Sequence, residues 1–277
     1  MTTFAVDGDG VTLHGEDSGV GPAVLLLHGL SATRRYVLHG STALEREGYR
    51  VIAYDSRGHG DSSPAPTPGD YRYDQLAADA LRVLDARGVD RAALVGMSMG
   101  SAVAAAVALD HPDRVTALVA ITPAHLGSPT RDPARWDRLA TGLAEGGADG
   151  FVQAYGDPGV PPKSLELIRT VMRQRMSRHA HPAAVADALR TTTAGAAFPG
   201  EDALRGIRCP ALVVGSRDRL DPEHPLWIAE HWAELIPDAR LVVEDDGASP
   251  LAWRGGSLSR EIGAFLAATA PPHPATR

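Results

Sequence analysis

The chain has 277 residues, of which 44% are hydrophobic and 22% charged, and its formal net charge is −7. The negative charge argues against a nucleic-acid partner, because phosphate backbones are bound by clustered lysine and arginine. No apolar run approaches the roughly 18 residues that a membrane span needs, and no secretory signal is visible, so we expect a cytoplasmic protein without membrane contact.

Short apolar runs alternate along the chain with longer helical patterns. This alternation predicts an α/β fold with a mostly parallel, doubly wound sheet. A hairpin comes first, with strands at 3–6 and 11–14 around an Asp-Gly-Asp-Gly turn. Further strands are predicted at 23–27, 51–54, 92–95, 117–121, 211–214 and 240–243. Several are continuously apolar, as strands covered by helices on both faces are.

The alternation stops between residues 123 and 205, where only helical patterns occur. We predict that 123–205 form a helical cap inserted after the sixth strand. The core would then be built from residues 1–122 and 206–270. The proline-rich residues 271–277 are expected to form a flexible tail.

The sequence Gly-Met-Ser-Met-Gly at 96–100 lies between a predicted strand and a predicted helix. A serine in this setting sits on a sharp turn that exposes its hydroxyl above the sheet. The flanking glycines permit the close backbone contacts of such a turn. We therefore predict that Ser98 is a nucleophile and that the backbone N–H of Met99 faces an oxyanion.

Two more motifs accompany this turn: Leu-Leu-Leu-His-Gly-Leu at 25–30 and Asp-Ser-Arg-Gly-His-Gly-Asp-Ser at 55–62. Together the three motifs resemble those of the α/β-hydrolase superfamily. The resemblance implies that Leu30 donates the second N–H of an oxyanion hole. It also implies that His28 and His59 are scaffold residues and that the remaining triad members follow in the order acid, then histidine.

By the same resemblance the acid is Asp218, the third residue after the glycine that ends the strand at 211–214. Asp221 is a rival, although its preference for a turn before Pro222 also explains it. The histidine is expected after the last strand, where residues 241–251 match the family's ending in every respect but one. Position 248, which the histidine would occupy, is alanine.

Three explanations for Ala248 stay open. The alanine is an engineered replacement of a histidine, made to trap a substrate or acyl-enzyme. Alternatively, the natural protein has lost its base and is a binding protein or a weak enzyme. In the third explanation another histidine, such as His231 or His125, reaches Ser98 from a different element. The intact serine and acid favour the first explanation.

These residues predict a serine hydrolase of small, largely apolar carboxylic esters or lactones, in a form inactivated by Ala248. The side chains predicted to line the substrate pocket are Trp136, Phe151, Tyr155 and Met172. No cofactor is predicted, and the single cysteine excludes a multi-cysteine metal site.

Several alternatives use the same fold. A carbon–carbon bond hydrolase or a perhydrolase would keep the same triad, and a ligand-binding protein would use the pocket without efficient turnover. Epoxide hydrolases and haloalkane dehalogenases are disfavoured, because they need an aspartate where Ser98 stands. The oligomeric state is not predicted.

Overall fold

The computed structural model describes residues 1–218, 220–245 and 253–269. Its strands are β1 (Thr2–Gly8), β2 (Val11–Ser18), β3 (Ala23–Leu27), β4 (Arg50–Tyr54), β5 (Ala92–Met97), β6 (Val115–Ile121), β7 (Ala211–Gly215) and β8 (Arg240–Val243). They form an 8-stranded sheet in the order β1-β2-β4-β3-β5-β6-β7-β8. β2 runs antiparallel to β1 and β4, and all other neighbours are parallel. The predicted α/β-hydrolase fold is confirmed.

The described helices are α1 (Ala43–Arg46), α2 (Tyr73–Ala86), α3 (Met99–Asp110), α4 (Pro133–Tyr155), α5 (Pro162–Met176), α6 (Pro182–Ala194), α7 (Leu226–Leu235) and α8 (Gly255–Thr269). Helices α2, α3 and α7 cover one face of the sheet, and α1 and α8 cover the other. Along β3, Leu25 and Leu27 pack on the first face, whereas Val24 and Leu26 pack on the second. Burial on both faces explains the continuously apolar strands. Within the described ranges, no helix is long and apolar enough to cross a bilayer.

Helices α4, α5 and α6 follow β6 and precede β7, where the helical insertion is predicted. We refer to residues 123–205 as the cap. Helix α4 breaks at Gly147, whose φ of 59° favours glycine, and its two halves fold back on each other. They meet so closely that a Cβ on Gly142 would lie 2.5 Å from the carbonyl oxygen of Gly150. The cap has a small core of its own, which includes Leu143, Phe151 and Leu189.

The predicted tail at 271–277 lies outside the described residues.

Candidate active site

Ser98 occupies the turn between β5 and α3, with φ 53° and ψ −115°. This left-handed conformation is strained for a residue with a side chain. A Cβ on Gly96 would lie 2.1 Å from the carbonyl oxygen of Gly100, and one on Gly100 would lie 2.1 Å from that of Leu27. Only glycine fits at both positions. The predicted strand–turn–helix setting of Ser98 is therefore confirmed.

The imidazole of His224 lies beside the Ser98 hydroxyl, with Nε2 2.7 Å from Oγ. The other ring nitrogen, Nδ1, is 2.7 Å from Oδ2 of Asp221. A carboxylate can only accept a hydrogen bond, so Nδ1 carries the proton and Nε2 accepts from the serine hydroxyl. Serine, histidine and aspartate thus form one continuous hydrogen-bonded chain.

A tight turn brings Asp221 and His224 together immediately before α7. We refer to residues 221–224 as the dyad turn. The Asp221 amide donates to the Asp218 carbonyl at 3.2 Å, and the Glu223 amide donates to Oδ1 of Asp221 at 3.3 Å. One oxygen of Asp221 therefore shapes the turn while the other orients the imidazole.

Asp221 is charged in this arrangement. Burial alone would raise its pKa. The hydrogen bond from His224, the charge of that ring when it is protonated, the Glu223 amide and the charge of Arg175 outweigh burial and lower the pKa below its usual value. A charged carboxylate is the form that stabilises an imidazolium.

The structure corrects the predicted pairing of acid and base, because Asp221, and not Asp218, contacts the histidine that reaches Ser98. Asp218 Oδ1 accepts from the backbone N–H of Leu220 at 2.9 Å. The prediction placed the acid by its distance from Gly215. It missed that Asp221 lies three residues before a histidine, in a turn that folds the two side chains together. Ala248 lies outside the described residues.

His224 is the functional residue that sequence reasoning missed, and the two histidines named as substitutes were wrong. His231 lies 3.3 Å from both Glu201 and Glu234. His125 Nε2 contacts the hydroxyl of Tyr73 at 2.8 Å. The available signal was the Asp-Pro-Glu-His sequence at 221–224, in the same loop after β7 as Asp218.

His28 and His59 are buried, and the main chain engages both nitrogens of each ring, as expected of scaffold residues. The Ser56 amide donates to His28 Nε2 at 2.9 Å, and His28 Nδ1 donates to the Gly29 carbonyl at 2.8 Å. His59 accepts from the Ser31 amide at 3.3 Å and donates to the carbonyl of the preceding arginine, Arg57, at 3.0 Å.

A third buried histidine, His179, connects the cap to the core. Its Nδ1 accepts from the Gly60 amide at 3.0 Å, and its Nε2 donates to the Ser31 carbonyl at 3.1 Å. Burial lowers the pKa of His28 and His179 to about 4 and that of His59 to about 3. All three rings are therefore neutral at pH 7, each with a single fixed tautomer.

The loop after β3 lies against the nucleophile. A Cβ on Gly29 would be 3.2 Å from the Cβ of Ser98, a tight contact that glycine avoids. The next residue, Leu30, packs against the core and against the cap. Met99 is the first residue of α3, where an amide has no carbonyl one turn earlier in the helix to bind. The oxyanion roles of Leu30 and Met99 stay predictions.

The four predicted pocket residues differ in their surroundings. Phe151 is 3% exposed within the cap's own core, as a packing residue is. Trp136 and Met172 pack on that core from outside, and the Trp136 indole donates to Thr130 Oγ1 at 3.1 Å. Burial raises the pKa of the Tyr155 phenol; the charge of Arg135 lowers it, and those of Glu223 and Asp221 in the dyad turn raise it. Their place in a substrate pocket stays a prediction.

The family model described as alpha/beta hydrolase fold matches residues 22–165. The chain belongs to the α/β-hydrolase family. A curated member from Pseudomonas savastanoi pv. phaseolicola, named "Putative carbamate hydrolase RutD", is 30% identical over 228 residues, covering 82% of this chain and 86% of that protein. "Epoxide hydrolase 2" from Siraitia grosvenorii is 40% identical over 111 residues, covering 40% of this chain. The match covers only 35% of the length of that relative.

Among solved structures of α/β hydrolases, a thermophilic esterase from Thermogutta terrifontis superposes with a TM-score of 0.78 and 26% identity. The match covers 98% of this chain and 100% of the esterase. The whole described architecture, cap included, is therefore that of an α/β hydrolase.

Proposed function

We propose that this chain is an active serine hydrolase of carboxylic esters or lactones, with His224 as its base and Asp221 as its acid. The observation that carries the proposal is the 2.7 Å contact between His224 Nε2 and Ser98 Oγ. Inactivation was expected only because no imidazole stood at position 248. His224 removes that reason, because it supplies an imidazole from a different element.

In the proposed reaction, Ser98 Oγ attacks the carbonyl carbon of the ester while His224 Nε2 takes the hydroxyl proton. The charged Asp221 holds the ring through Nδ1 and stabilises the imidazolium that forms. The imidazolium then gives its proton to the departing alkoxide. A covalent acyl-enzyme on Ser98 remains.

The negative charge on the carbonyl oxygen would be bound by the backbone amides of Met99 and Leu30. The N-terminal end of α3 adds the favourable field of its helix dipole. Water, deprotonated by His224, then attacks the acyl-enzyme and releases the acid. Atoms and protons balance over the two steps, and no cofactor is required.

The decisive experiment measures hydrolysis of 4-nitrophenyl butyrate by the unaltered chain and by the variants Ser98→Ala, His224→Ala and Ala248→His. We expect losses in kcat on the order of 10⁴- to 10⁶-fold for the first two. The double variant Ser98→Ala/His224→Ala is expected to lose no more, because the two residues act as one unit. Ala248→His is expected to leave the rate within a few fold.

Two results would contradict the proposal. One is a His224→Ala variant that keeps the rate of the unaltered chain. The other is an Ala248→His variant that gains several orders of magnitude, which would restore the explanation of a missing base. A fluorophosphonate probe gives a second measure, because rapid labelling of Ser98 in the unaltered chain requires an activated hydroxyl.

A further inference from the structure

Arg175 is a partly buried cation whose Nε has no hydrogen-bond partner among the described residues. It lies near the end of α5, on the cap. Its Nε is the only arginine nitrogen in the described part of the chain that is buried without a hydrogen-bond partner. A buried guanidinium nitrogen that donates to nothing is costly, because it has lost water and gained no acceptor.

Other buried arginines in this protein are paired with carboxylates. Arg57 donates from Nε to Oδ2 of Asp79 at 2.7 Å and from NH2 to Oδ1 at 2.9 Å. Arg34 binds Glu16, Asp55 and Asp61. These pairs are part of the scaffold. Arg175 differs because nothing in the described fold uses it in this way.

The groups whose charges act on Arg175 include Asp221, the proposed catalytic acid. Burial lowers its pKa, and the charges of Asp221, Tyr36 and Tyr155 oppose that effect in this order. The field of Arg175 in turn lowers the pKa of Asp221. The guanidinium on α5 of the cap thus lies within electrostatic range of the dyad turn. Two phenols in its surroundings can also donate hydrogen bonds.

We propose that Arg175 forms an anion subsite, with Tyr36 and Tyr155, that binds a carboxylate carried by the substrate. A guanidinium presents parallel N–H donors that match the two oxygens of a carboxylate. The inference rests on the proposed function, and it narrows the substrate class to esters or lactones that keep a free acid group, such as half-esters of dicarboxylic acids. The bound carboxylate would accept a hydrogen bond from Arg175 Nε, which has no acceptor in the described part of the fold.

The test compares two substrates of similar length, the mono-4-nitrophenyl ester of adipic acid and 4-nitrophenyl heptanoate, in Arg175→Gln and Arg178→Gln variants. Arg178 is exposed, lies three residues further on, and serves as the matched loss of charge. Arg175→Gln is expected to raise KM for the acid-bearing ester by about ten- to a hundredfold and to change KM for the neutral ester far less. Arg178→Gln is expected to change neither ester appreciably.

Binding without turnover separates this inference from the proposed function. Calorimetry with monomethyl adipate uses the Ser98→Ala chain, with and without Arg175→Gln, and melting temperatures verify that each variant folds. Loss of binding with Arg175→Gln supports the subsite even if neither ester is hydrolysed. Equal binding, or an equal rise of KM for both esters, overturns it.

Discussion

Arg135 of the cap and Glu223 of the dyad turn form an ion pair, with NH2 and Oε1 2.5 Å apart. Glu223 lies in the same turn as Asp221 and His224, so the pair connects the proposed base to helix α4. The Arg135 guanidinium also lies over the rings of Trp136 and Tyr155, at 5.4 and 5.6 Å from their centroids. The cap therefore contacts the turn that carries His224.

Removing this tie is expected to slow catalysis without unfolding the protein. Glu223→Gln leaves the turn's backbone intact but removes a partly exposed ion pair worth about 1 kcal/mol or less, which corresponds to a few-fold decrease in kcat. Arg135→Gln is expected to match it, and the double variant to add little. Steady-state kinetics with melting curves measures both effects. A lower melting temperature with unchanged kcat would show that the pair is structural only.

The two neighbouring aspartates provide a matched comparison. Asp221→Asn is expected to lower kcat by about 10³- to 10⁴-fold, because an amide can no longer stabilise the imidazolium. Asp218→Asn is expected to lower it by less than tenfold, because that carboxylate accepts from a backbone amide of its own loop. The reverse order of effects would return the role of acid to Asp218.

The strained backbone at Ser98 predicts that glycine at this position raises the stability of the fold while it abolishes activity. Ser98→Gly removes the nucleophile and also relieves the strain at a φ of 53°, which stores on the order of 1 kcal/mol. We expect it to melt about 2–4 °C above Ser98→Ala, which lacks the hydroxyl but keeps the Cβ. Differential scanning calorimetry compares the two inactive variants. Equal melting temperatures would indicate that the turn is not strained.

The three buried histidines predict a loss of stability in mild acid. Their pKa values in the fold are about 4, 3 and 4, below the usual 6.5, so the unfolded chain takes up protons first as the pH falls. Their contribution is complete above pH 6.5 and decreases below it, by about 2 kcal/mol for each ring at pH 5.

Urea unfolding at pH 7 and pH 5 measures this decrease. A His179→Gln variant is expected to show a weaker pH dependence, whereas His111→Gln, at an exposed position, serves as the control. A free energy of unfolding that does not change between the two pH values would contradict the neutral, fixed tautomers described for the three rings.

Much of the scaffold could be predicted because its signals are local. A buried parallel strand such as β3 must be apolar on both faces, and the turn at Ser98 needs glycines on both sides for steric reasons that hold in any sequence. The helical insertion was also visible, since strand patterns are lost between β6 and β7.

The base could not be predicted in the same way. The contact between His224 and Ser98 joins residues 126 positions apart, and no periodicity reports such a distance. The family resemblance predicts the histidine after β8 and the acid three residues after Gly215. The chemistry requires only an imidazole that reaches the serine hydroxyl and whose Nδ1 is held by a carboxylate. A histidine in the turn before α7 satisfies this requirement as well as one after β8 would.

Leu30 packs against the sheet's core, against the cap's core and against the cluster around Tyr71. The Leu30 amide, which is proposed to bind the oxyanion, therefore belongs to a residue that packs against three separate clusters. Warming that softens only the cap would shift this amide while the sheet stays intact. The highest temperature at which the protein turns over substrate would then depend on the stability of the cap's small core, and not on that of the larger core around the sheet.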